Sequence, residues 1–330
     1  MKDGGVLSGW QCFKTANDAF LHLLQELWRN GASCCPRGQY TREQLGVSFR
    51  LLNPRARLIT NPQRRWSLPL ALGEFCWNSR GDISVAPLMY YSKTWQRLVG
   101  NRRTILGSCY GRQMFAGRGK VQSQWECVRK ELQRDSDSRR AVLVFGKELH
   151  RWGTNPVDVP CVTCAQFILR NGTLNCIVTM RSNDIMWGLG YDVFLFTMLQ
   201  ERMAAELGVD LGWYQHNAAS MHLYERHFDM AKRVLAQRAK VSMQCEMPKM
   251  NARHGFEAFL LREKQIRLGK IPLRRVLDEP LEEYWRQLAL VLLDFRLYKT
   301  NKTELESEIT SQLRRPYRQF ARCLHEKRLI

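Results

Sequence analysis

The chain is 330 residues long and carries 51 Lys+Arg against 31 Asp+Glu, a formal net charge of +20. With 45% hydrophobic and 25% charged residues it has the usage of a globular protein, which excludes a disordered chain. No apolar run approaches the roughly 20 residues of a membrane-spanning helix, and the opening MKDGG lacks the basic-then-apolar pattern of a secretory signal. A soluble basic protein with an anionic partner is expected. Nucleic acid is the general reading, and an enzyme of phosphorylated small molecules the sharper one.

In chain order, Phe20, Leu21, Leu24 and Leu27 predict a helix over 15–29, ended by Gly31. A turn-rich stretch through Cys35, Pro36, Arg37 and Gly38 leads to a strand at 47–52. Residues 68–79 read as a helix with Glu74 among Leu70, Leu72, Phe75 and Trp77. A charged helix over 121–134 ends in the polar turn 135–140. The pattern then becomes β at 141–145, 164–169 and 174–180, with Asn171-Gly172 joining the last two as a hairpin. An apolar helix over 193–207 stops at Gly208. Beyond about residue 228 the chain is helical and charge-rich, with helices expected at 255–267, 280–297 and 302–326. Without repeats or linkers, a single domain over 1–330 is expected, with 229–330 as its divergent, helix-rich C-terminal part.

Eleven cysteines, odd in number and set in apolar or helical contexts, argue against a secreted disulfide framework and for a reducing cytoplasm. The one C-x-x-C, Cys161 and Cys164, precedes a strand in which the two thiols face opposite sides unless a bulge intervenes. With no second pair and no His cluster beside it, no metal is expected.

Taken singly, the polar residues carry little information; their order carries more. Glu74 stands three residues before Trp77, with Gly81-Asp82 beyond. Then come Tyr110-Gly111-Arg112-Gln113, Asp137-Ser138-Arg139-Arg140, and Pro160-Cys161 followed by Gln166-Phe167. Arg181-Ser182-Asn183-Asp184 with Gly188-Leu189 follows, and His222-Leu223-Tyr224 closes the series. This set resembles the thymidylate synthase family over about 16–228, and the Arg-Ser-x-Asp-x-x-x-Gly block and the Pro-Cys pair are its most specific parts. The resemblance implies an α/β (α+β) fold with a large twisted mixed sheet. One face of that sheet would form a homodimer interface, with helices on the other.

The chemistry requires such a set. Pyrimidine C5 is too weak a nucleophile to attack a one-carbon donor until a thiolate adds to C6. By resemblance Cys161 is that nucleophile, Glu74 relays protons at the base through water, and Tyr110 assists proton removal from C5. The nucleotide phosphate would be held by Arg181 and Ser182 of the same subunit and by Arg139 and Arg140 from the partner, with Arg37 a further candidate. His222 and Tyr224 match groups that bond the sugar hydroxyl. Asp184, with Gly188 of the same block and Trp95, would hold the cosubstrate 5,10-methylenetetrahydrofolate.

The chain departs from the synthases after Gly188-Leu189. Where they carry Pro-Phe-Asn, with the asparagine reading uracil, this chain has Gly190-Tyr191-Asp192. Cytosine presents an amino donor and a ring-nitrogen acceptor, which a carboxyl sharing one proton can satisfy. Asp192 therefore points to a cytidine monophosphate, dCMP or CMP, and to the hydroxymethylase branch of the family. Val162 replaces the histidine usual after the nucleophile. The tryptophan that shields the exocyclic methylene from water falls at Gln96 by direct spacing, or at Trp95 with a one-residue slip. A glutamine there would admit water and give a hydroxymethyl product; a tryptophan would favour methylation. The other class, a basic nucleic-acid-binding protein on the same fold, rests on the net charge alone and is the less favoured reading.

Overall fold

A computed structural model of the protein describes residues 11–117, 122–145, 158–237, 245–250, 254–278 and 280–325. In chain order the elements are β1 (Gln11–Phe13), α1 (Ala16–Asn30), β2 (Ala32–Cys34), β3 (Thr41–Leu51), α2 (Leu68–Arg80), α3 (Ala86–Tyr91), α4 (Lys93–Val99) and α5 (Tyr110–Phe115). They continue with α6 (Gln124–Arg134), β4 (Val142–Val144), β5 (Val162–Arg170), β6 (Thr173–Met180), β7 (Asn183–Asp184), α7 (Leu189–Leu207), β8 (Asp210–Tyr224) and α8 (Phe228–Ala236). The C-terminal part holds α9 (Phe256–Leu268), α10 (Leu273–Asp278), α11 (Glu283–Thr300), α12 (Glu306–Gln312) and α13 (Tyr317–His325). These form two compact units, one of Met1–Trp66, Cys127–Asn155 and Val159–Glu246, the other of Ser67–Glu126, Pro156–Asp158 and Met247–Ile330.

The first unit is built on a mixed sheet in the order β1-β3-β8-β6-β5-β4, with β2 beside β3 and β7 beside β8. The long β8 is its spine, antiparallel to β3 and parallel to β6 and β7. Asn171 (φ 49°) and Gly172 (φ 73°) make the tight turn of the β5–β6 hairpin, both in the left-handed region that this turn demands. α7 buries Val193, Phe194, Phe196, Met198 and Leu199, and α1 buries Phe20, Leu23, Leu24 and Leu27. Each such side chain contributes about 1.5–3 kcal/mol of burial free energy. Thr15 caps α1 by accepting the Asp18 N–H at 3.0 Å, and Gly208 closes α7 at φ 73°. Inside the unit Arg57, 0% exposed, pairs with Glu201 of α7, a charge pair that would be costly to break from either side.

Two sequence expectations change here. The apolar helix begins at Leu189, not 193, so Asp192 sits in its first turn. β8, which the sequence reading leaves out, is the longest strand described.

The second unit is helical. Ser67 caps α2 by accepting the Leu70 N–H at 3.3 Å, Pro69 occupies its first turn, and Gly81 at φ 60° ends it. α11 packs on α9, with Phe259 and Trp285 stacked at 5.1 Å between ring centroids. The expected single helix over 302–326 is two helices. The chain leaves helix at Leu313 and resumes at Tyr317, because Pro316 has no N–H to continue the ladder and restricts the residue before it. The helix expected over 121–134 begins at Gln124, and residue 121 lies outside the described residues. Among the described residues no helix is long and apolar enough to cross a membrane.

Candidate active site

In the first unit the β5–β6 register, Val162 opposite Met180, sets Cys161 and Arg181 side by side just beyond the paired ends. The Arg181 N–H donates to the Cys161 carbonyl at 2.9 Å. Its guanidinium donates to the Pro160 carbonyl at 2.9 Å and the Val159 carbonyl at 3.1 Å, with Nη2 3.8 Å from Cys161 Sγ. The Arg181 guanidinium thus stands within reach of the Cys161 sulfur. The ladder slips between Val162 and Cys164, the bulge that the C-x-x-C reading allowed for. Among the described residues no group of three His, Cys, Asp or Glu is placed to hold a metal ion.

Asp192 is half-buried and is tied to three residues that the sequence reading assigned no role. Asn183 Nδ2 donates to Asp192 Oδ2 at 2.8 Å. Asn183 Oδ1 lies 3.1 Å from His216 Nε2, and His216 Nδ1 lies 2.9 Å from the Tyr214 hydroxyl. Because Asn183 Oδ1 can only accept, His216 carries its proton on Nε2 and accepts a hydrogen bond from the Tyr214 hydroxyl at Nδ1. Burial pushes His216 down to about 3, which keeps it neutral, and its ring stacks on Phe49 at 5.2 Å. Desolvation pushes the Asp192 carboxyl up to about 7, with nearby Asp184 adding to the rise and the Asn183 hydrogen bond opposing it. Gly188 lets this approach happen, since a Cβ there would stand 2.7 Å from Asn183 Nδ2 and 3.2 Å from Asp192 Oδ2. The sequence signal for this hydrogen-bonded chain is the alternation of Tyr214 and His216 along β8.

Asp184 turns the chain from β7 into α7: its Oδ1 accepts the Met186 N–H at 2.8 Å and its carbonyl the Gly188 N–H at 2.8 Å. It stands opposite His222 in the β7–β8 pairing. Burial lowers the His222 pKa, with Asp184 acting against that shift. His222 and Tyr224, two apart on β8 and so on one face, meet edge to face at 4.9 Å, and Arg226 covers the tyrosine ring at 3.8 Å. Arg64, also absent from the sequence expectations, is 2% exposed and lies over the Trp187 ring at 5.1 Å. Its Nη2 has no hydrogen-bond partner among the described residues, and desolvation lowers its pKa while Tyr191 and Asp184 oppose that. Ser182 is half-buried, whereas Arg37, Arg139 and Arg140 are exposed.

In the second unit α2 presents Glu74 and α4 presents Trp95. The Trp95 indole N–H donates to Glu74 Oε1 at 2.7 Å, and the Trp95 ring leans on Trp77 at 6.3 Å. Gln96, next on α4, is exposed, so the tryptophan is the residue that meets the glutamate. Tyr110 begins α5 and is buried. The loop ahead of it is held by Asp158, which accepts the Gly107 N–H at 2.6 Å, the Ser108 N–H at 3.0 Å and the Ser108 hydroxyl at 2.6 Å.

In the first unit a guanidinium thus lies beside a cysteine, and a half-buried carboxyl of raised pKa is held by an amide; in the second a helix carboxylate meets a tryptophan indole. The family model described as thymidylate synthase matches residues 18–267. Among solved structures, the thermostable thymidylate synthase A of Bacillus subtilis superposes with a TM-score of 0.57 at 22% identity, over 67% of this chain and 84% of that one. With a mixed sheet of matching fold and a family match over most of its length, the chain belongs to the thymidylate synthase family, whose reaction is a folate-dependent one-carbon transfer to a pyrimidine nucleotide.

Proposed function

We propose that the protein 5-hydroxymethylates a cytidine monophosphate, dCMP or CMP, with Cys161 adding to C6 of the base and Asp192 reading its cytosine edge. The observation that carries this reading is the Asp192 carboxyl, raised to about 7 and oriented by Asn183. A neutral carboxyl has one donor and one acceptor, which matches the ring N3 and the exocyclic amino group of cytosine. An ionised one still accepts from the amino group but opposes both N3 and the O4 of uracil.

The remaining residues take their parts by family resemblance. Arg181 and Ser182 bind the phosphate, joined by Arg37 and by Arg139 and Arg140 of a partner protomer, in a family whose members are homodimers. The exposure of Arg37, Arg139 and Arg140 suits residues that meet a ligand or a second copy. His222 and Tyr224 bond the sugar. Glu74 and Tyr110 move protons at the base. Asp184, Gly188 and Trp95 hold methylenetetrahydrofolate, which supplies the one-carbon unit. The buried, unpartnered Nη2 of Arg64 suits an anionic group of that cosubstrate.

One observation favours a second reading. Trp95 sits against Glu74, so a tryptophan is available to shield the methylene, as methylation requires. Incubation of CMP, dCMP and dUMP with methylenetetrahydrofolate separates the two. Hydroxymethylation adds CH2O to a cytidylate and releases tetrahydrofolate, whereas methylation of any nucleotide releases dihydrofolate.

A further inference from the structure

Glu263 of α9 is 1% exposed and collects three donors. Its Oε1 accepts from the Tyr91 hydroxyl at 2.8 Å and from Arg267 Nε at 2.8 Å, and its Oε2 accepts from the Arg80 guanidinium. A buried carboxylate is tolerated only when it is fully paired in this way. Burial and the neighbouring Glu263 raise the Tyr91 phenol well above its ordinary pKa, so it remains a donor.

Two of those donors, Arg80 and Tyr91, lie on α2, which carries Glu74, and on α3, which leads into α4, the helix of Trp95. Arg80 is the last residue of α2, the Glu74 helix, and it also donates to the Leu260 carbonyl of α9. Tyr91 is the last residue of α3, and Ser92 alone separates it from α4, the Trp95 helix. The Tyr91 ring lies flush on Gly73, where a Cβ would stand 2.3 Å from ring Cδ2; the next residue is Glu74. The contact therefore runs from Glu263 through the Tyr91 hydroxyl and ring to the backbone beneath Glu74.

We propose that Glu263 and Tyr91 are positioning residues for Glu74, fixing the turn of α2 that carries it and so the reach of its carboxylate. The proposal rests on the reading of Glu74 as the proton relay. Neither residue touches the reacting atoms; each acts by holding the α2 backbone and the α3–α4 corner in one arrangement.

The test is a double-mutant cycle on the full-length protein, followed by release of tritium from C5 of whichever nucleotide the wild type turns over. Tyr91→Phe keeps the ring and removes only the hydroxyl, and Glu263→Gln keeps the shape and weakens the acceptor. Each should lower kcat about tenfold with nucleotide KM within about twofold, with kcat referred to the folded fraction measured by denaturant melts, because loss of folded enzyme alone lowers apparent kcat in the same way. Tyr91→Phe combined with Glu74→Gln should be no slower than Glu74→Gln alone, since a residue acting through Glu74 loses its effect once the carboxylate is gone. Multiplicative losses in the double variant, or a wild-type kcat for Tyr91→Phe, would overturn the proposal and leave the reading of Glu74 intact. Full activity of Glu74→Gln would overturn that reading, and the proposal with it.

Discussion

Asn183 donates to Asp192 Oδ2 across 2.8 Å while its own carbonyl oxygen is held 3.1 Å from His216 Nε2. The amide is thus committed at both ends, and its orientation is imposed by a histidine that burial keeps neutral. A carboxyl addressed by a fixed N–H, and raised to about 7, is poised to exchange a proton near neutrality.

This arrangement sets a pH dependence of stability. The folded Asp192 pKa lies above its ordinary value of 3.8, so the fold favours the protonated form. Between those two values the native state binds more protons than the unfolded chain, and stability falls as pH rises through the window. Asp192→Asn removes the ionisation and should stabilise the protein at pH 8, by as much as about 4 kcal/mol, with little gain below pH 4. Denaturant melts of both proteins across pH 4–8 check this, and a pH-independent difference would contradict it.

His216→Phe keeps the stack on Phe49 but leaves the Asn183 carbonyl and the Tyr214 hydroxyl without their partner. The expected loss is about 1–3 kcal/mol of stability, together with a fall in kcat/KM for cytidylate as the amide loses its imposed orientation. Melting and steady-state kinetics measure the two parts separately.

Arg181→Ala removes the guanidinium 3.8 Å from Cys161 Sγ. Alkylation of Cys161 by iodoacetamide at pH 7, followed by peptide mass analysis, should slow by about tenfold. An unchanged rate would mean that the arginine does not assist the nucleophile.

Asp158, three residues ahead of Cys161, takes three hydrogen bonds from Gly107 and Ser108, the latter two residues ahead of Tyr110. Asp158→Ala should free that loop, at a stability cost of about 1–3 kcal/mol, and lower the rate of C5 tritium release. Loss of stability with normal tritium release would limit Asp158 to a structural role.

The parts of the fold legible in the sequence were those written by local rules. The 15–29 helix, the Asn171-Gly172 hairpin and the Gly208 stop each follow from spacing or from a left-handed turn residue. β8 escaped because Gly212, the alternation of Tyr214, His216 and Ala218, and the polar Gln215 and Asn217 are set by its neighbours β3 and β6, not by an apolar run of its own. The same gap hides His216, which meets Asn183 from another strand. Motif order singles out Cys161, Arg181 and Asp192 as candidates, but it does not decide between Trp95 and Gln96. That choice lies in how α4 packs, with the Trp95 indole turned to Glu74 and Gln96 to solvent.

The identity of residue 192 is the centre of the functional reading. The most direct measurement is the product formed from CMP, dCMP and dUMP with methylenetetrahydrofolate by the wild type and by Asp192→Asn, followed by mass analysis and dihydrofolate absorbance. The account predicts a gain of CH2O on a cytidylate without dihydrofolate in the wild type, and a shift of preference toward uridylate in the variant. Uridylate turnover with dihydrofolate release by the wild type, or an unchanged base preference in the variant, would contradict it.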